Sequence, residues 1–204
     1  MTIKALIWDF SGVICIPNER YGRRFLAEVI GVPEETLQYY FHGELNRQLN
    51  LGEIDSPTFY RIVFAELGLP KDSLEQFFNQ PRPSLEINTA LIDLIKELRS
   101  SKKIGLLSNY HNRLRFILEN ELKLANLFDD IVVSSEVKMM KPDEGIYKLA
   151  LAHLGVQPQE TIFVDDLTEN IASAARLGIH AIQFQNNDQV IQDIRQFIPV
   201  LKSK

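Results

Sequence analysis

The chain of 204 residues carries 22 Lys and Arg against 27 Asp and Glu, a net charge of −5, which argues against a nucleic-acid binder working through a basic face. Its 45% hydrophobic residues suffice for a real core and argue against intrinsic disorder. The single cysteine, Cys15, allows no intrachain disulfide, and no stretch reaches the ~18 apolar residues of a membrane span or contains a signal-peptide core, so a cytoplasmic protein without nucleic-acid or membrane partners is expected.

In chain order, the first element is an apolar run at residues 3–8, which predicts a strand buried on both faces of a parallel sheet. The stretch 16–83 then shows no convincing strand pattern but several capped helical segments. Pro33 follows Gly31 at a first-turn position, Ser56-Pro57 reads as an N-cap and first helical residue, and Gly68 with Pro70 stops the helix that Pro57 starts. Gln80-Pro81-Arg82-Pro83-Ser84 reads as a stiff extended linker. A helical pattern at 88–98 follows, carried by Leu91, Leu94, Ile95 and Leu98, then a second strand at 104–107. A weaker strand pattern lies at 131–133, a helix at 145–154, a third clear strand at 161–164 and another weak one at 180–184. Strand and helix alternate, so the expected fold class is α/β, a doubly wound, Rossmann-like parallel sheet. The helical stretch divides the chain into a core of residues 1–15 and 84–204 and an inserted helical cap of residues 16–83.

In an open parallel sheet, ligands bind beyond the carboxyl ends of the strands. Here the sequence places Asp9 and Ser11 after the first strand, Ser108 and Asn109 after the second, and Asp165 and Asp166 after the third, with Asn170 one helical turn later. Lys141-Pro142 lies between the last two. Taken singly, most have ordinary structural explanations: Asp9 as a turn residue or cap, Ser108-Asn109 as an N-cap, Lys141 as a solvated lysine, Asn170 on a solvated helix face. The pair Asp165-Asp166 is harder to explain so, because adjacent buried carboxylates repel and need a cation or strong donors. Taken together, they make a phosphoryl-transfer set. Asp9, Asp165 and Asp166 offer carboxylate oxygens to Mg2+, and Ser108 and Lys141 offer donors to a phosphoryl group. Asp9 is then the catalytic nucleophile, with Mg2+ and Lys141 offsetting its charge against the incoming dianion.

These residues carry a resemblance to the haloacid-dehalogenase-like (HAD) hydrolases. Four motifs occur in the family's order: Ile-Trp-Asp9-Phe-Ser-Gly-Val-Ile, Leu-Leu-Ser108-Asn, Lys141-Pro142, and Phe-Val-Asp165-Asp166 with Asn170. The resemblance covers essentially the whole chain, including a helical cap between the first two motifs. It implies that Asp9 becomes an aspartyl-phosphate and that Ser108, Asn109 and Lys141 bind the phosphoryl group. It also implies that Asp166, Asp165 directly or through water, and the Ser11 backbone carbonyl join Asp9 around Mg2+. The wording Lys-Pro-x-x-x-Ile-Tyr and Asp-Asp-x-x-x-Asn, with Asn-Leu-Gly-Glu-Ile in the cap, is similar to small-capped bacterial phosphatases of sugar phosphates such as glucose 1-phosphate.

One position departs from the family pattern. Phosphatases of this family most often carry a second Asp two residues after the nucleophile, as the general acid and base, and here that residue is Ser11. Losing such help costs ~10² to 10⁴ in rate. Ser11 therefore keeps three alternatives open: slow turnover, a preference for substrates with good leaving groups, or a phospho-ligand binding protein without catalysis. A metal-independent dehalogenase is a fourth, opposed by the acidic pair. Arg20, Arg24, His42, Asn46 and Arg47 are candidate specificity residues facing a small phosphorylated substrate, against the plain reading that the arginines are solvated and that Tyr39, Tyr40 and Phe41 pack the cap. A monomer or small homo-oligomer is expected.

Overall fold

The computed structural model describes residues 2–16 and 22–198. Five short strands pair in parallel, β1 (Ala5–Trp8), β4 (Lys103–Ser108), β5 (Asp130–Val133), β6 (Thr161–Asp165) and β7 (His180–Gln183), in the spatial order β5-β4-β1-β6-β7. β1 is central, paired along both edges by β4 and β6 and covered on both faces by helices, as its unbroken apolar run requires. Trp8 is level with Leu106 of β4 and with Val164 of β6. The chain crosses from β1 first to one side of the sheet and later to the other, which makes the carboxyl end of β1 the switch point where a crevice opens.

Alternation along the strands divides the core into two layers. Leu6, Trp8, Ile104, Leu106, Ile162 and Val164 face one side, where Leu91 and Ile95 of α6 (Thr89–Leu98) and Val190 and Ile194 of α11 (Asn187–Phe197) cover them. Ala5, Ile7, Leu107, Val132 and Phe163 face the other, under Ile146, Tyr147 and Leu154 of α9 (Glu144–Leu154) and Ala174 of α10 (Thr168–Arg176). Asn88 caps α6 by accepting from Leu91 N. The weak patterns at 131–133 and 180–184 are true strands at the two sheet edges, weak because they are only partly buried.

Between β1 and α6 lie α1 (Arg23–Ile30), α2 (Glu34–His42), α3 (Glu44–Asn50), α4 (Ser56–Glu66) and α5 (Ser73–Asn79). They gather around their own apolar cluster, including Leu26, Leu37, Phe59, Val63 and Phe77. The chain enters and leaves this bundle through a two-residue ribbon, β2 (Cys15–Ile16) antiparallel to β3 (Glu86–Ile87). The sequence reading missed it because two residues are too few for a periodic signal. It also misplaced a cap: Asp55, not Ser56, accepts from Thr58 N at 2.8 Å, and Ser56 already lies inside α4. A carboxylate at this position also favours the positive helix end. Pro33 sits one residue before α2 rather than within it.

The bundle is fastened to the sheet through main-chain carbonyls. Ser134, fully buried at the start of α8 (Ser134–Val137), donates from Oγ to Asn50 O at 2.6 Å and accepts from Tyr110 N at 3.0 Å. Lys138 Nζ donates to Gly52 O at 2.6 Å. Gly52 has φ +64°, and a Cβ there would lie 3.1 Å from Ser135 C, so this approach is open only to glycine. No helix among the described residues is long and apolar enough to cross a membrane.

Candidate active site

Asp9 follows β1 directly, and its N–H still bonds to Val164 O of β6 at 2.9 Å, which holds the residue in the sheet plane at the crevice. Its Oδ1 accepts from Phe10 N at 2.7 Å and lies 2.9 Å from Lys141 Nζ. Burial pushes the Asp9 carboxyl up to about 6; Lys141 opposes this and Asp165 adds to it. The group therefore stays ionised at neutral pH while being poorly hydrated, which suits a carboxylate nucleophile.

Lys141 is no solvated lysine: it is almost wholly buried. Asn109 clamps its main chain, donating from Nδ2 to Lys141 O and accepting from Lys141 N, both at 2.8 Å. Nζ then bridges Asp9 and Asp165, with Asp165 Oδ2 at 2.6 Å. Burial works against the ammonium, but the two carboxylates outweigh it and hold its proton more tightly than usual. Asn109 starts no helix among the described residues, and its side-chain amide positions Lys141.

Asp165 is saturated with donors: besides Lys141, it receives Leu167 N at 2.8 Å and Asn170 Nδ2 at 3.0 and 3.1 Å from its two oxygens. Asn170 is thus buried and orienting rather than solvated. Asp166 is half-buried, its carboxyl raised by burial and by Asp165. It lies against Gly12, whose φ is +83° and where a Cβ would come 2.6 Å from Asp166 Cγ. Only glycine lets the turn after Asp9 close over that carboxylate.

Carboxylate oxygens of Asp9, Asp165 and Asp166 lie within 4.8 Å of one another. Three carboxylates against the one ammonium of Lys141 leave two negative charges uncompensated, a donor set that fits a hard divalent cation. Ser108, at the end of β4 beside β1, is fully buried and its Oγ has no hydrogen-bond partner among the described residues. A buried hydroxyl left unpartnered costs stability unless a ligand engages it.

A cleft of about 310 Å³ leads from Ser11 and Asn109 to the helical bundle, with Asn46, Phe59, Tyr60, Arg82 and His111 in its walls. Of the candidate specificity residues, Asn46 lines this cleft. Arg24 is exposed and pairs with Glu28, Arg47 with Glu44 and Glu53, and exposed His42 meets Gln38 O through Nδ1, so their heads are engaged on the bundle surface. Arg20 lies outside the described residues. Tyr40 packs the bundle as expected, but Tyr39 is exposed. Sequence reasoning passed over Arg82 and His111. The signal for His111 was present, since it follows Asn109 on a strand-end loop; Arg82 was hidden between two linker prolines.

A parallel sheet with acids, a buried ammonium and an unpartnered hydroxyl gathered at its switch point defines a doubly wound α/β enzyme. Residues 3–178 match the haloacid dehalogenase-like hydrolase family, and the chain belongs to that family. It is 25% identical over 203 residues to sesquiterpene phosphatase astK of Aspergillus oryzae, covering 97% of each chain. To D-ribitol-5-phosphate phosphatase of Bacteroides thetaiotaomicron it is 26% identical over 208 residues, covering 94% of this chain and 97% of the relative. Among solved structures, a HAD family enzyme of Bacteroides thetaiotaomicron in complex with magnesium and inorganic phosphate superposes with a TM-score of 0.71 at 26% identity, covering 90% of this chain and 94% of that one.

Proposed function

We propose that this HAD-like hydrolase is a Mg2+-dependent phosphatase of small phosphorylated metabolites, sugar phosphates above all, working through an aspartyl-phosphate on Asp9. The observation that carries the reading is the buried Lys141 ammonium bridging Asp9 and Asp165 beside the unpartnered Ser108 hydroxyl. Relatives named as phosphatases, and a similar enzyme crystallised with magnesium and phosphate, support it.

In this reading Asp9, Asp166, the Ser11 carbonyl and, directly or through water, Asp165 hold Mg2+, which supplies positive charge against the phosphoryl oxygens. Ser108 Oγ and Lys141 Nζ donate to those oxygens. Asp9 attacks phosphorus, the bond to the leaving oxygen breaks, and that oxygen takes a proton from water admitted to the cleft. Water then attacks phosphorus, releasing inorganic phosphate and restoring the Asp9 carboxylate. Asn109 and Asn170 keep Lys141 and Asp165 in place throughout. Residues 16–83 act as a cap over the core of 1–15 and 84–204, excluding water and limiting substrate size.

Ser11 is exposed at the floor of the cleft, and no carboxylate lines the cleft among the described residues. This favours leaving groups that need little protonation, such as those of sugar 1-phosphates or acyl phosphates. It also supports a second reading, a phospho-ligand binder that does not turn over. Hydrolysis of p-nitrophenyl phosphate with and without Mg2+ separates the two. Metal-dependent release that Asp9→Asn abolishes and Ser11→Asp raises, by up to ~10², is the expected result. Unchanged release by Asp9→Asn would remove the nucleophile assignment, and binding without release across a panel of phosphorylated metabolites would favour the binder.

A further inference from the structure

Arg82 leaves the linker between α5 and β3 and lays its guanidinium over the bundle aromatics, 4.2 Å from the Phe77 ring centre and 5.3 Å from Phe25. A cation–π contact of this kind holds the group without using its five N–H donors. Among the described residues it has no carboxylate partner, unlike Arg24, Arg47, Arg113 and Arg115, each of which has one. Its head borders the same cleft that opens at Ser11 and Asn109, whose described lining contains no Asp or Glu. His111 stands across that lining, and burial, then the charges of Arg113 and Arg82, push its imidazole down to about 4, so it is neutral at pH 7 and the cleft's cation is Arg82.

We propose that Arg82 recognises a second anionic group, a carboxylate or a further phosphate, on the end of the substrate away from the phosphoryl group. This rests on the reading that Asp9, Ser108 and Lys141 bind the phosphoryl end. The guanidinium matches either anion bidentately; among the described residues no Asp or Glu lines the cleft between it and Ser11, and Glu121, in the wall of the neighbouring cavity that Arg82 also borders, is paired with Arg113. Neutral sugar phosphates would then fit the cleft but leave this cation unused.

Calorimetric titration of the Mg2+-loaded enzyme with two ladders of non-hydrolysable ligands tests the proposal. The ladders are alkylphosphonates, and ω-phosphonocarboxylates and α,ω-bisphosphonates of matching length from two to five methylenes. At one or more lengths the second anion should tighten binding about tenfold or more over the alkyl counterpart, as a charge-assisted bidentate contact gives. Arg82→Ala should reduce that ratio to about one, and Arg82→Met, which keeps apolar cover over Phe77, should do the same if the alanine variant folds poorly. The arm with the larger gain identifies the anion. No gain at any length, or a gain that survives in both variants, overturns the role of Arg82 while leaving the phosphoryl reading intact. Failure of every phosphonate to bind overturns that reading and this proposal together.

Discussion

The crevice at the end of β1 and the cleft beneath the helical bundle adjoin, yet they manage charge in opposite ways. In the crevice, Asp9, Lys141 and Asp165 are buried and held by short, mutually dependent contacts, so no one of them can change without stranding another. On the bundle side, the ion pairs of Arg24 and Arg47 lie out on exposed surface, and the cleft's cation is held by aromatic faces. Chemistry is over-determined in the first region and adjustable in the second.

The largest expected effect comes from breaking the over-determined side. Lys141→Met leaves Asp9 and Asp165 facing each other without their ammonium, and losing one partner of a buried ion pair costs ~3–5 kcal/mol. Thermal unfolding in metal-free buffer should show that loss, and turnover should fall by at least ~10². If both stay at wild-type level, the crevice is not the interdependent unit described here.

His111, between the two regions, gives an intermediate effect with a sign set by pH. Its imidazole titrates at about 4 when folded against an ordinary 6.5, so the unfolded chain takes up the proton first as pH falls. The stability tied to it is intact above 6.5 and declines as pH falls from there to about 4, the whole loss coming to about 3 kcal/mol at ~1.4 kcal/mol per pH unit. Asp9, raised by burial, acts in the opposite sense over overlapping pH. The quantity to measure is therefore the difference in urea unfolding between wild type and His111→Gln, which should shrink or change sign on going from pH 7 to pH 4.5. A difference independent of pH would refute the burial of this imidazole.

The smallest effect belongs to the bundle surface. Arg47→Ala removes only exposed pairs with Glu44 and Glu53, and such pairs contribute little. Unfolding midpoint and turnover should both match wild type; a marked loss of turnover would mean that Arg47 reaches into the cleft after all.

The same contrast explains what could be read from the sequence. Asp9, Ser108 and Asp165 were legible because a doubly wound sheet puts strand ends in one place, so position along the chain implied position in space. The sheet strands were legible because burial on both faces leaves an unbroken apolar run. The clamp of Asn109 on the main chain of Lys141, 32 residues later, was not legible because nothing local signals that partner. Arg82 and Ser134 were missed for the same reason. Their meaning depends on how the bundle sits over the sheet, a relation without a period or a motif.

The fastening of the bundle has a consequence for how such a protein can diversify. Ser134 and Lys138 grip Asn50 and Gly52 by their carbonyls, which every amino acid possesses. Position 50, whose residue also lines the cleft, can therefore exchange its side chain without loosening the grip. Ligand preference at this wall is free to drift while the closed arrangement is inherited unchanged, and Gly52 is the residue in that turn that must stay as it is.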